Sequence, residues 1–70
     1  MVRIKAKELF EYIGYSLTEE SEEFIEYFRK TDNQCIRFDL INKSLHNNAE
    51  IDLTTLKAIC LLAKELKWIK

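Results

Sequence analysis

The chain has 70 residues, with 11 basic and 12 acidic side chains, a net charge of −1, one glycine and no proline. This length allows a single domain, residues 1–70, and the 47% hydrophobic content excludes a disordered chain. Two cysteines are too few for a disulfide-stapled secreted protein, and no apolar run approaches the roughly 20 residues of a membrane span, so we expect a cytoplasmic protein.

The first predicted element is a helix over residues 2–13. Its apolar residues recur at helical spacing: Val2, Ala6, Leu9 and Ile13. Gly14, the only glycine, follows them at a position where a left-handed cap costs no Cβ clash. The helix is therefore expected to end there.

Segments of strand character occupy the middle of the chain. Residues 15–18 alternate weakly and lead into an acidic stretch, 19–23, which is typical of a solvated turn. Residues 24–30 are aromatic and β-prone, and residues 35–41 alternate most clearly. Residues 49–51 are predicted to add a short edge strand. In the segment 35–41, the side chains expected on the core face are Ile36, Phe38 and Leu40, and those expected on the other face are Cys35, Arg37 and Asp39.

The last predicted element is a helix over residues 53–67. Asp52 stands at its N-cap position, where the carboxylate can accept from the next backbone amides. The expected core face consists of Leu56, Ile59, Cys60, Ala63 and Leu66. Cys35 and Cys60 are both expected to be buried thiols. The order α-β-β-β-β-α predicts an α+β fold, an antiparallel sheet of three to four strands with the N-terminal and C-terminal helices on one side.

The sequence shows no catalytic, cofactor-binding or metal-binding pattern. His46 is the only histidine, and it stands in a polar turn region with no nucleophile near it in sequence. One histidine and two distant cysteines do not make a zinc site, and one glycine is too few for a phosphate-binding loop. We therefore predict that the protein is not an enzyme and needs no cofactor.

Two surface features are candidate protein-binding sites. The first is an acidic block consisting of Glu19, Glu20, Glu22, Glu23 and Glu26. It is suited to docking on a basic protein surface, although a solvated turn explains the same residues. The second lies on the last helix and consists of Leu61, Lys64 and Trp68. Tryptophan beside basic residues is common in binding hot spots, although Trp68 could instead fold back over the sheet.

The order of the motifs resembles a family of small proteins encoded by phages and prophages of Gram-positive bacteria. The matching stretches are AKELFEYIGY at 6–15, FIEY at 24–27, IRFD at 36–39, LKAI at 56–59 and ELKW at 65–68. The resemblance implies that Ile25 and Tyr27, rather than Phe24 and Phe28, face the core. It carries no catalytic residue to this chain.

This chain departs from the family pattern at two places in the last helix. A polar trio is replaced by Cys60, Leu61 and Leu62, which makes the helix more apolar. A glycine before the terminal tryptophan is replaced by Lys67, so the helix is expected to continue through Trp68. The family context implies a stoichiometric inhibitor of a host enzyme or of an anti-phage defence complex such as a CRISPR effector.

Three functional interpretations follow from the sequence. The leading one is a non-enzymatic phage-type protein that binds a host or phage protein and inhibits a host or defence factor. The second is a nucleic-acid-binding regulatory protein. It would use the basic side of the last helix, which consists of Lys57, Lys64, Lys67 and Lys70. Alternatively, it would use aromatic and basic residues of the strands: Tyr27, Phe28, Arg29, Arg37 and Phe38. The third is a small structural homo-oligomer joined through Leu61 and Trp68. No membrane partner is expected.

Overall fold

The computed structural model describes residues 5–48 and 50–69, and it confirms the predicted α+β fold. The elements are α1 (Ala6–Tyr12), β1 (Tyr15–Glu20), β2 (Phe24–Arg29), β3 (Gln34–Asp39), β4 (Ser44–Asn47) and α2 (Leu53–Glu65). Within the described residues, neither helix has the length and apolar character needed to cross a bilayer. Val2, Ala49 and Lys70, which entered the sequence predictions, lie outside the described residues.

The four strands form one antiparallel sheet in the order β1-β2-β3-β4. Ile25 lies opposite Phe38, and Tyr27 lies opposite Ile36. These four side chains share one face and are at most 8% exposed. The confirmed burial of Ile25 and Tyr27 follows from alternation along β2, which turns Phe24 and Phe28 to the opposite face.

Both helices pack on the face of the sheet that carries these four side chains. Phe10 of α1 is at the centre, with its ring stacked on Tyr27 at a centroid distance of 4.1 Å and edge-on to Tyr15 at 5.5 Å. From α2, Ala58, Ile59 and Leu62 complete the core. The core is therefore a single layer between sheet and helices, and no element of the described residues packs on the opposite face of the sheet.

The helix boundaries follow from capping residues. Gly14 has φ +100°, and its amide donates to the carbonyl of Glu11 at 3.1 Å, so α1 ends as predicted. The predicted N-cap of α2 is also confirmed, because the Asp52 carboxylate accepts from the Thr55 amide at 2.7 Å. The first amide of α1, that of Ala6, donates to Glu65 Oε2 at 2.6 Å, which links the start of α1 to the end of α2.

Arg29, at the end of β2, connects most of the elements at one end of the sheet. Its guanidinium donates to Asp32 Oδ2 at 2.7 Å, to Gln34 Oε1 at 3.3 Å and to Asp52 Oδ2 at 3.5 Å. It also donates to the Ile13 carbonyl at 3.4 Å and lies 4.7 Å above the Tyr15 ring. The hydrogen bonds between Arg29 and Asp32 raise the pKa of Arg29 and lower the pKa of Asp32, whereas the pKa of Asp52 is lowered mainly by its hydrogen bonds from Thr55.

Two strand predictions were wrong in extent or position. β1 continues through Glu19 and Glu20 instead of ending at residue 18, because both residues pair with β2 across a bulge. The fourth strand is β4, opposite β3, whereas residues 50 and 51 of the predicted edge strand have no strand structure. Both the extent of β1 and the position of the fourth strand depend on pairing with a neighbouring strand, which local composition does not predict.

The end of α2 was also predicted wrongly. Lys67 adopts φ +63°, its amide donates to the Lys64 carbonyl at 3.0 Å, and the Trp68 amide donates to the Ala63 carbonyl at 2.9 Å. This is a Schellman cap, which turns the chain so that Trp68 packs on Phe38 at a centroid distance of 6.1 Å. Burial of the indole therefore ends the helix without a glycine.

The core-facing side of α2 differs from the prediction. Its buried residues are Thr55, Ala58, Ile59, Leu62 and Ala63, whereas Leu56 is 47% exposed and Cys60 is exposed. The expectation of two buried thiols was therefore wrong, since Cys35 is also only half-buried. Apolar residues surround most of this helix, so the sequence pattern alone does not fix which side faces the sheet.

Candidate protein-binding surface

The first part of the surface is the acidic hairpin, which we define as Glu19, Glu20, Glu22 and Glu23 at the junction of β1 and β2. Ser21 shapes the turn, because its hydroxyl accepts from the amides of Glu23 at 3.2 Å and Phe24 at 3.3 Å. All four glutamates are exposed, and none has a cation within 4 Å in the described part of the chain. The end of β1 and the adjoining turn therefore present four carboxylates whose charges are not neutralised by an ion pair.

Glu26, the fifth acidic residue predicted for binding, lies in a different environment. It is half-buried in the middle of β2 and accepts from Arg37 Nε at 3.1 Å and Nη2 at 2.8 Å. The Thr18 hydroxyl also donates to it at 3.1 Å. The hydrogen bonds from Arg37 are the main reason that the pKa of Glu26 is lowered. Glu26 thus belongs to the sheet surface, and its charge is already balanced by Arg37.

The second part of the surface is the open face, which we define as the side of β2, β3 and β4 away from the helices. Its residues are Phe24, Glu26, Phe28, Cys35, Arg37, Asp39, Ser44 and His46. The Arg37 guanidinium lies 4.5 Å from the centroid of the Phe24 ring. The centre of the open face therefore holds both this aromatic ring and the ion pair between Arg37 and Glu26. A cavity of about 550 Å³ opens here, and Glu23 of the acidic hairpin forms part of its wall.

Two polar side chains fix the ends of this cavity. Asp39 Oδ1 accepts from the amides of Ile41 and Asn42 at 3.0 Å, and these bonds keep the pKa of Asp39 low. At the other end, Asn48 Oδ1 accepts from the Cys35 amide at 2.8 Å, and Asn48 Nδ2 donates to the Asn33 carbonyl at 2.9 Å. The Asn48 amide thereby continues the hydrogen-bonding pattern of the sheet beyond β4.

Cys35 is the only thiol of the open face. Desolvation and the nearby Glu26 carboxylate both raise its pKa, so the thiol is protonated at neutral pH. A protonated, half-buried thiol is a small apolar surface and a poor nucleophile. Cys35 therefore contributes contact area to the floor of the cavity.

The residues predicted for binding on the C-terminal helix do not form one free stripe. Lys64 is exposed in the last turn of α2. Leu61 and Trp68 are half-buried and pack against the core. The exposed apolar residues of α2 are instead Leu53, at 67%, and Leu56, at 47%. The fold-back of Trp68, one of the two alternatives at the sequence level, is the arrangement that the structure has.

Sequence reasoning missed the open face as a site. Alternation predicted the polar side of β3, and both helices were predicted on one side of the sheet, but no motif indicated that the uncovered side would hold a cavity. The aromatic and basic residues considered for nucleic-acid stacking are also divided by the sheet. Tyr27 and Phe38 are buried under the helices, and Phe28 and Arg37 are on the open face.

Comparison of the chain with protein-family models, with curated proteins and with solved structures gives no match. The resemblance to phage and prophage proteins therefore stays a prediction. In residues 5–48 and 50–69, no three His, Cys, Asp or Glu side chains are grouped so that they could hold a metal ion.

Proposed function

We propose that the chain is a small non-enzymatic protein of the phage-encoded type that binds a host or phage protein stoichiometrically. In this proposal the acidic hairpin docks on a basic surface of the target and inhibits a host factor or an anti-phage defence factor such as a CRISPR effector. The observation that supports it is the set of four exposed glutamates without an ion pair, two at the end of β1 and two in the adjoining turn that Ser21 orders.

Charge complementarity is the physical basis of the proposal. Four carboxylates within five residues create a local negative potential, although the whole chain carries only −1. A target surface rich in lysine and arginine offsets the repulsion among the four carboxylates and accelerates the encounter of the two proteins. Surfaces that bind nucleic acid have this basic character. A protein bound there would exclude the nucleic acid, and no catalytic group is needed for inhibition by this route.

The other two interpretations have less support. A nucleic-acid interface on the open face would place phosphates beside Glu23, Glu26 and Asp39, and the guanidinium of Arg37 already donates to Glu26. A homo-oligomer joined through Leu61 and Trp68 would use side chains that pack in the core. If the chain fails to bind single- and double-stranded nucleic-acid probes at low salt, the nucleic-acid alternative is wrong.

Affinity capture from a host lysate, followed by reconstitution with the purified partner, tests the proposal. We expect one partner at a fixed stoichiometry, with an affinity that falls as salt is raised. The double substitution Glu22→Lys and Glu23→Lys should weaken this binding strongly. The matched control is Glu8→Lys with Glu11→Lys, which makes the same change in net charge at exposed positions of α1. Equal effects of the two double variants, or no stoichiometric partner, would refute the proposal.

A further inference from the structure

The cavity of the open face is large enough to receive a side chain of another protein. Its volume of about 550 Å³ falls within the roughly 300–1,000 Å³ of ordinary ligand sites. Its floor is the paired backbone of β2, β3 and β4, and each end is fixed by a hydrogen-bonded turn or by the Asn48 amide. The cavity is therefore a preformed feature of the sheet, and no rearrangement is needed to open it.

The charge of the cavity selects the class of group that can enter it. Three carboxylates line it (Glu23, Glu26 and Asp39) together with one guanidinium, that of Arg37, which gives a formal charge of −2 with His46 neutral. Hydrogen bonds lower the pKa of Glu26 and Asp39, so both carboxylates are ionised at neutral pH. Because Arg37 already donates twice to Glu26, the negative charge of Glu23 and Asp39 is the charge available to a ligand.

The apolar part of the lining is complementary to the rest of a basic side chain. Phe24 and Cys35 are half-buried in the floor and offer contact area to an aliphatic stem. The Arg37 guanidinium already covers one face of the Phe24 ring, 4.5 Å from its centroid, so the rest of the ring is available to the aliphatic stem and the charged end is left to the carboxylates. A long side chain that carries a positive charge at its end satisfies both parts of the lining.

We propose that this cavity receives a lysine or arginine side chain from an extended basic segment of the partner protein. The inference rests on the proposed function, because it names the point at which a partner docked on the acidic hairpin is anchored. Glu23 belongs to both regions and makes them continuous. The segment lies along the open face, with its basic side chain next to Glu23 and Asp39 and its stem on Phe24 and Cys35.

An acidic ligand does not meet the same conditions. Its carboxylate or phosphate would have to displace Glu26 from Arg37 while lying among two further carboxylates. The same argument applies to an oligonucleotide. Both are therefore useful as competing probes in the experiment, because either one binding more tightly than a basic peptide would contradict the charge argument.

The test is an NMR titration of the labelled chain with a short capped peptide that alternates arginine and glycine. We expect saturable shifts of the backbone amides of Phe24, Cys35 and His46. A peptide with glutamate in place of arginine, and a short single-stranded oligonucleotide, serve as the competing probes. If either competing probe shifts these amides at lower concentration than the basic peptide does, the proposal is wrong.

The neighbouring glutamates provide a matched pair of variants. Glu23 lines the cavity and Glu22 does not, while both are exposed and both lose one charge on substitution by glutamine. We expect Glu23→Gln to raise the Kd of the basic peptide about three- to fivefold, the effect of one partly exposed ion pair, and Glu22→Gln to change it by less than about twofold. Equal effects of the two variants would overturn the inference.

The outcomes for the inference and for the proposed function are separable. Peptide shifts confined to residues 19–23, with the amides of Cys35 and His46 unchanged, overturn the cavity as the binding site and leave docking on the acidic hairpin intact. Conversely, saturable shifts of Cys35 and His46 with no stoichiometric partner in the capture experiment overturn the proposed function and leave the basic-side-chain preference of the cavity established.

Discussion

Substitution of Arg29 by methionine tests whether the contacts of Arg29 stabilise the fold. Methionine keeps the aliphatic stem but removes the donors. Gln34 is 1% exposed, so loss of its bond from Arg29 leaves a buried acceptor unsatisfied, at about 1–3 kcal/mol. Loss of the cation above the Tyr15 ring adds about 0.5–1 kcal/mol, while the ion pairs to Asp32 and Asp52 are screened by water and add little. We expect a total loss of about 1.5–4 kcal/mol.

A loss of this size is a large part of the stability of so small a domain, for which about 3–5 kcal/mol is typical. It corresponds to a fall in Tm of roughly 10–30 °C. Urea unfolding monitored by the fluorescence of Trp68, the only tryptophan, measures it. Arg37→Met is the matched control, since Arg37 also pairs with a carboxylate and covers a ring, but its side chain is 48% exposed against 14% for Arg29. A loss for Arg37→Met equal to that for Arg29→Met would refute the reasoning.

Three further predictions concern the C-terminal cap, acid stability and the oligomeric state. Lys67→Gly should raise the free energy of unfolding in urea by about 1 kcal/mol, because Lys67 has φ +63°, which glycine adopts without strain. The control Lys64→Gly, within α2, should lower the free energy of unfolding by about 1 kcal/mol. A lower free energy of unfolding for Lys67→Gly would contradict the assignment of the cap. Hydrogen bonds lower the folded-state pKa of Asp32 and Asp52, so their stabilisation should be complete above about pH 5 and should be lost as pH falls through the folded-state pKa. The loss of unfolding free energy on acidification should be smaller in Asp52→Asn than in the unsubstituted chain, and an equal loss in the two proteins would argue against these bonds. Trp68→Ala should cost about 2 kcal/mol without altering the mass measured by light scattering, and a change in mass would show that the indole is a subunit contact.

Local signals in the sequence predicted most of the fold. Gly14 and Asp52 marked a helix end and a helix start because each supplies a specific capping interaction. Alternation predicted Ile36 and Phe38 on the core side of β3, and both are buried. These features depend on neighbours in sequence, so they can be read without knowledge of the tertiary structure.

The remaining features depend on tertiary contacts that the sequence does not display. Glu19 and Glu20 are in a strand because β2 pairs with them, although acidic residues favour a turn. Leu56 and Cys60 are exposed because the sheet contacts another side of α2, and apolar residues on several sides made that choice ambiguous. The placement of both helices on one side of the sheet was predicted, but the cavity of the open face was not, because its lining comes from three strands whose pairing no motif displays.

Cross-saturation NMR on the reconstituted complex detects the residues of this chain that contact the unlabelled partner, and it therefore shows whether the acidic hairpin and the open face form the interface. We expect strong signal loss for Glu22, Glu23, Cys35 and His46, and none for Leu53 on the outer side of α2. Signal loss confined to Leu53 and its neighbours on α2, with the acidic hairpin and the open face unaffected, would contradict this expectation.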